Sequence, residues 1–300
     1  MVVRPDRRTG TLIGAAIALC ALAAAGLLGW RITEQPLSLS SFVSGAVAVV
    51  LLFLAALFGY WTYGCWSLAY HLDRNALTIS WAGNQQVIPL DEVRSLVPGP
   101  AAHAPRVLGG VEWPGYHIAR SEVAGLDPPG PVLFFSTHVK PQDLLYVVTP
   151  ARAYGLSVPD APAFAQELKL RLRLGLTEHL EQEARRWLPW DLPAWQDPLV
   201  IGLLALGIVA NLVLFAYLAY LMPALEALIA MHYTPQGIVD HIGVKVELFW
   251  LPATGLVLLL VNGAAGIGLH QRERFAANLA LIGAVALQVI LWGATLKLLG

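Results

Sequence analysis

Leu77-Thr78-Ile79-Ser80-Trp81-Ala82-Gly83-Asn84-Gln85-Gln86-Val87-Ile88-Pro89-Leu90 is the stretch on which the reading of the whole chain turns. Leu77, Ile79 and Trp81 alternate with polar Thr78 and Ser80, the period of a half-buried strand. Gly83-Asn84 supplies a turn, and Gln86 to Leu90 resumes extended chain, so the stretch predicts a β-hairpin. Downstream, 132–138 and 144–149 predict two more strands joined by Lys140-Pro141-Gln142-Asp143, and 153–158 a further one. Ser157 or Asp160 then caps a helix with Pro162 in its first turn and Phe164 and Leu168 on its buried face. The Leu/Lys/Arg alternation of 168–174 is assigned to that helix because it lacks β-branched residues. Leu77, Ile79, Phe134, Val147 and Phe164 are the expected core. The segment 98–131, with seven prolines, reads as loop-rich.

This block interrupts a chain of another kind. Residues 11–30, 42–66, 198–222, 247–269 and 276–299 are apolar and reach the roughly 20 residues a helix needs to cross a bilayer. Hydrophobic residues make up 57% and charged residues 13%, with a mean hydropathy of +0.61. Soluble domains carry about 25% charged residues. The expected fold is therefore an α-helical membrane protein of five transmembrane helices with an inserted β-rich domain of antiparallel strands and one C-terminal helix. Its parts are two spans in 1–67, the inserted domain in 68–174, a juxtamembrane linker helix in 175–197 and three spans in 198–300. The net charge of −1 gives no case for a nucleic-acid partner.

Lys and Arg near span ends set orientation. Arg4, Arg7 and Arg8, then His71 and Arg74, then Arg185 and Arg186, then Arg272 and Arg274 all fall on one side if five spans start from an internal N-terminus. The C-terminus is then external, as are the loops 31–41 and 223–246. The first apolar run resembles a signal peptide in its flank, but its length and the second span soon after Pro36 read as an anchor that stays. Trp61, Trp66, Trp187, Trp190 and Trp195 read as interfacial anchors, and Cys20 and Cys65 as small buried hydrophobes. Thr177–Trp187 reads as a short charged helix with Thr177 as N-cap and a Glu181–Arg185 pair.

Asn211, Asn262 and Gln288 lie within spans, where polar groups face other helices, and Gly263, Gly266 and Gly268 with Ala264 and Ala265 form a small-residue packing face. No charge sits at mid-span, which argues against an ion-coupled transporter. The external loop offers His232, Asp240, His241 and Glu247 as metal ligands. Zinc needs three or four converging on one point, and the spacing fits no metal motif. The reading expects no metal and no cofactor. It expects His232 to bond Asp240 or a loop carbonyl while buried between spans, and Gly237 to turn the chain. No P-loop, G-x-S-x-G or paired CxxC occurs. His103, His117 and His138, with Asp127, Asp143 and Ser136, form no recognisable catalytic arrangement.

Tyr70-His71-Leu72, Ile88-Pro89-Leu90-Asp91-Glu92-Val93, Gly115-Tyr116 and Tyr154-Gly155-Leu156-Ser157-Val158-Pro159 followed by Phe164 resemble the bacterial pleckstrin-homology-like domains of membrane proteins, over residues 68–174. The resemblance implies binding of lipid, peptide or a second copy. The eukaryotic lipid-binding version clusters basic residues in the first hairpin, where this chain has Gly83, Asn84, Gln85 and Gln86. His232-Tyr233, Gly237, Asp240, Gly243 and Lys245 resemble an uncharacterised bacterial membrane family with a Pro/His/Gly loop, which includes the SdpI-type toxin-immunity proteins. This second resemblance covers residues 205–265 and departs at Ala230, where that family has proline. Together they imply a non-enzymatic protein of the bacterial inner membrane, with the lipid bilayer and a protein partner or second copy as partners. The implied role is envelope stress or immunity to membrane-active peptides. His232, Gly237 and Asp240 are its candidate binding residues. A small transporter or channel and a membrane enzyme are the alternatives.

Overall fold

The computed structural model describes the chain apart from residues 100–105, 124–125, 128–129, 139, 175–176, 178–181, 186–191, 234–235, 237–238 and 300; of 106–108, 141, 184, 185 and 233 only the backbone is described. The chain divides into two units, Met1–Ala24 with Leu51–Trp187, and Ala25–Val50 with Leu188–Gly300.

The first unit carries the β-domain. One sheet runs β1 (Val2–Val3), β2 (Ala69–Leu72), β3 (Ala76–Trp81), β4 (Asn84–Pro89) and, at its far edge, a short strand Glu183–Arg185, all antiparallel. The predicted hairpin is present, with Leu77 opposite Ile88 and Trp81 opposite Asn84. Its turn is Ala82-Gly83, one residue earlier than expected. Both residues have positive φ, 49° and 80°, the backbone whose twist suits a two-residue hairpin.

The second sheet runs in the spatial order β5 (Ser95–Pro98), β9 (Leu145–Val148), β10 (Ala153–Leu156), β8 (Pro131–Ser136), β7 (Tyr116–Glu122) and β6 (Arg106–Trp113). Two expectations are corrected here. The segment 98–131 is not all loop, because β6 and β7 form a hairpin within it. Its prolines fall at 98–105 and 128–131, outside the two strands, or at the turn as Pro114, where no ladder donor is needed. The strands are also not all antiparallel: β10 pairs β8 in parallel, Tyr154 beside Leu133.

Helix α3 (Ala161–Leu174) covers the core. Asp160 rather than Ser157 is its cap, accepting the Ala163 N–H at 2.9 Å. Ser157 is buried and accepts the Thr137 N–H at 2.8 Å. The five expected core residues, Leu77, Ile79, Phe134, Val147 and Phe164, are all at most 1% exposed. The linker helix is corrected in part. Glu183–Arg185 is the strand β11, with Ala184 opposite Gln86, although its residues favour helix. An open β4 edge offers ladder hydrogen bonds that outweigh a few tenths of a kcal/mol of propensity. Thr177 donates its N–H and hydroxyl to Asn75 Oδ1, each at 2.9 Å; Glu181, Arg186 and Trp187 lie outside the described residues.

Among the described residues, five helices are long and apolar enough to cross a membrane: α1 (Arg8–Thr33), α2 (Leu39–Ser67), α4 (Pro198–Leu221), α5 (Trp250–Leu269), extended by a 3₁₀ turn from Lys245, and α6 (Arg274–Leu299). In the second unit α4 buries Val200, Gly207, Asn211, Leu214 and Leu218, a stripe at helical spacing. Of the expected small-residue face on α5, Gly263 and Gly266 are buried, whereas Ala264, Ala265 and Gly268 are exposed. Gly255 completes the packed row, since a methyl there would meet Leu291 Cδ1 at 2.6 Å. Between α4 and α5 the expected external loop is a hairpin, β12 (Leu228–Tyr233) and β13 (Val239–Val244).

Candidate functional site

Of the three residues expected to form the outer site, His232 and Asp240 are described. His232 Nδ1 and Asp240 Oδ1 meet at 2.6 Å across the β12–β13 hairpin, the pairing expected. The expected burial is not found: the two side chains are 68% and 43% exposed. A two-stranded ribbon has two open faces, so its side chains reach solvent even when the backbone is paired. An exposed pair of this kind contributes about 0–1 kcal/mol. Gly237 lies outside the described residues. Among the described residues, no group of three His, Cys, Asp or Glu side chains is placed to hold a metal ion. Lys245 anchors the hairpin by donating to the Met222 and Leu225 carbonyls at 2.8 and 2.9 Å.

Within the helices, Asn211 and Gln288 come together as their polarity suggests. Asn211 Nδ2 donates to Gln288 Oε1 at 3.0 Å and to the Pro252 carbonyl at 2.9 Å; Gln288 Nε2 donates to the Gly255 carbonyl at 2.9 Å. Both side chains are buried, so the amides hold three helices to one another. Asn262 is half-buried. A separate recess of about 360 Å³ is lined by Pro193, Gln196, Asp197, His270 and Arg274. There the buried His270 ring lies 3.6 Å from Asp197, which also caps α4 through the Leu199 N–H.

Among the described residues of the β-domain, His117 and Ser136 are engaged in packing and main-chain contacts. His117 is 1% exposed, stacks on Phe134 with ring centroids 4.6 Å apart, and lies 3.6 Å from Glu112. Burial lowers its pKa below the ordinary histidine value, and Glu112 opposes this only in part. Ser136 spends its hydroxyl on the His138 carbonyl at 2.8 Å. His103 lies outside the described residues. The Tyr70 hydroxyl donates to the Phe135 carbonyl at 2.6 Å, and burial raises its pKa far above the ordinary tyrosine range.

The most constructed place in the first unit is where the ends of α1 and α2 meet the β-domain. Gly10 of α1 touches Gly115 in the β6–β7 turn, whose φ of +86° favours glycine. Trp113 Nε1 donates to the Gly10 carbonyl at 3.0 Å. Trp113 stacks on Tyr116 at 4.2 Å and packs against Phe58 and Trp61 of α2. Cys65, fully buried as expected, sits among Trp113, Tyr116 and their neighbours. On the other side of the junction, the turn of the first hairpin is tied to α2. The Ala82 N–H donates to Ser67 Oγ at 2.8 Å, and Asn84 Nδ2 to Tyr60 OH at 3.3 Å. The turn of the first hairpin is thus packed against the chain's own helix α2.

Beside this junction lies a recess of about 490 Å³ lined by Asp6, Arg7, Arg8, Thr11, Leu12 and Trp66. Arg7 donates to the Trp66 carbonyl. The sequence marked Arg7 and Arg8 as orientation signals and Trp66 as an interfacial anchor. Their convergence was not legible, because it depends on how the end of α2 returns beside the start of α1.

Residues 68–172 match the family model described as Bacterial PH domain. No curated protein matches the chain, and no solved structure does.

Proposed function

We propose that the chain is a non-enzymatic, five-span protein of a bacterial inner membrane that holds a PH-like binding module against the cytoplasmic surface. The N-terminus and the module lie inside and the C-terminus outside. The module serves a protein or lipid partner or a second copy of the chain. One observation carries this reading: the β-domain is fastened to the ends of two candidate spans through the Gly10–Gly115 contact, the Trp113 bond and the Ser67 and Tyr60 bonds to the hairpin turn. A domain tied at several points keeps one orientation to the bilayer, which suits a docking surface. In this reading the outer hairpin, with His232 and Asp240, retains the resemblance to the SdpI-type family, and the role lies in envelope stress or immunity to membrane-active peptides.

The test has two arms. A reporter fused after Gly300 should read as external, and one at the N-terminus as internal. Photocross-linkers at exposed β-domain positions such as Arg120 and Glu122 should trap a lipid or protein adduct in cells. A cytoplasmic readout at the C-terminus removes the topology; cross-linkers that trap nothing remove the binding module.

A further inference from the structure

Resting on that membrane reading, we propose that the recess between the first turn of α1 and the end of α2 binds the phosphate headgroup of an anionic lipid. The site lies outside the sheets of the PH-like domain. Its walls have the chemistry of such a ligand. Arg7 and Arg8 present guanidinium groups, whose planar donor forks match phosphate oxygens. Arg7 spends a donor on the Trp66 main-chain carbonyl, which positions the guanidinium without neutralising it. Among the described residues, no carboxylate pairs with either arginine side chain. Asp6 is the one acid in the wall, and its Oδ1 is engaged by the Arg8 backbone N–H at 3.1 Å. The lining charges therefore sum to a net positive.

Two further features fit. The first turn of α1 directs its positive dipole end at the same place. Trp66 and Leu12 are 59% and 71% exposed. At the end of two spans they give the glycerol and first acyl carbons an apolar wall. Basic pockets between span ends on the cytoplasmic side are where anionic headgroups bind. The first hairpin of the β-domain cannot serve, since its turn is packed on α2.

The experiment uses the full-length chain in a neutral detergent, titrated with dioleoyl phosphatidylglycerol, dioleoyl phosphatidylcholine or inorganic phosphate and read by native mass spectrometry. The expected result is retention of phosphatidylglycerol over phosphatidylcholine. Arg8→Gln should weaken phosphatidylglycerol retention about fivefold, and Arg7→Gln with Arg8→Gln about 25-fold, at roughly one arginine's surface contribution each. Lys169→Gln, on an exposed position of α3, should change nothing. Arg8→Gln leaves the Arg7 brace intact, and its melting temperature checks that the fold survives. Equal retention of both lipids, or an Arg8→Gln variant indistinguishable from wild type, overturns the proposal. Saturation by inorganic phosphate without preference between lipids overturns the lipid assignment. Alkaline carbonate extraction separates this failure from that of the membrane reading: a chain released from membranes fails the latter, whereas one that stays and shows no lipid preference fails only the former.

Discussion

A methyl group at Gly115 would collide with the backbone of Gly10 and adopt a left-handed φ at once. Gly83 has a similar φ of +80° but open space around it. The two positions separate conformation from contact. Gly83→Ala should cost about 1 kcal/mol, the left-handed penalty alone. Gly115→Ala should cost about 1–3 kcal/mol more, from overpacking at the junction. Thermal melts of the full chain in detergent measure the difference, and equal losses would deny the Gly10 contact its role. His117 supplies a pH test. Its folded pKa is lowered by burial, so the unfolded chain takes up the proton first as pH falls below the ordinary value of 6.5. The neutral ring's contribution is thus complete above about pH 6.5 and is lost as pH falls towards the folded value. His117→Phe keeps the stack on Phe134 and does not titrate. Its melting temperature should fall less between pH 7 and pH 5 than that of wild type.

At the scale of elements, the β-domain is larger than the segment whose pattern announces it. Its first sheet draws β1 from residues 2–3 and β11 from residues 183–185. A fragment of residues 68–174 lacks both and leaves the edges of β2 and β4 open. It should still give a strand-dominated circular dichroism spectrum, because the core is internal to it. It should melt below a fragment extended through Arg185, and a higher melting point for the shorter piece would dismiss β11 as a structural strand. Phe164, on the inner face of α3, is 0% exposed, so Phe164→Ala should cost about 3–5 kcal/mol in the extended fragment. The alternating residues of β3 were plain in the sequence, as was a start of α3 at Ser157 or Asp160, between which the structure chose Asp160. β6 and β7 were hidden because flanking prolines masked their alternation, and β11 because its residues favour helix.

On the scale of the whole molecule, the polar pair inside the helices is the point to probe. Asn211→Ala leaves the Gln288 carbonyl oxygen without its donor in a buried site and should cost about 1 kcal/mol. Replacing both by leucine should cost less than the two single losses summed, since no polar group is then stranded; additive losses in a melting series would show the pair is not coupled. The sequence by itself determined the five apolar helices, the strand-rich insert with its buried face, and the polarity of Asn211 and Gln288. These follow from length, period and transfer free energy, which are local quantities. Tertiary structure alone decided that Gly10 meets Gly115, that β10 lies parallel to β8, that His232 reaches solvent, and that Arg7, Arg8 and Trp66 share one recess. Each of these depends on which distant segments are brought together, and pairing across the chain is set by packing and ladder hydrogen bonds, which leave no periodic trace in the residues themselves.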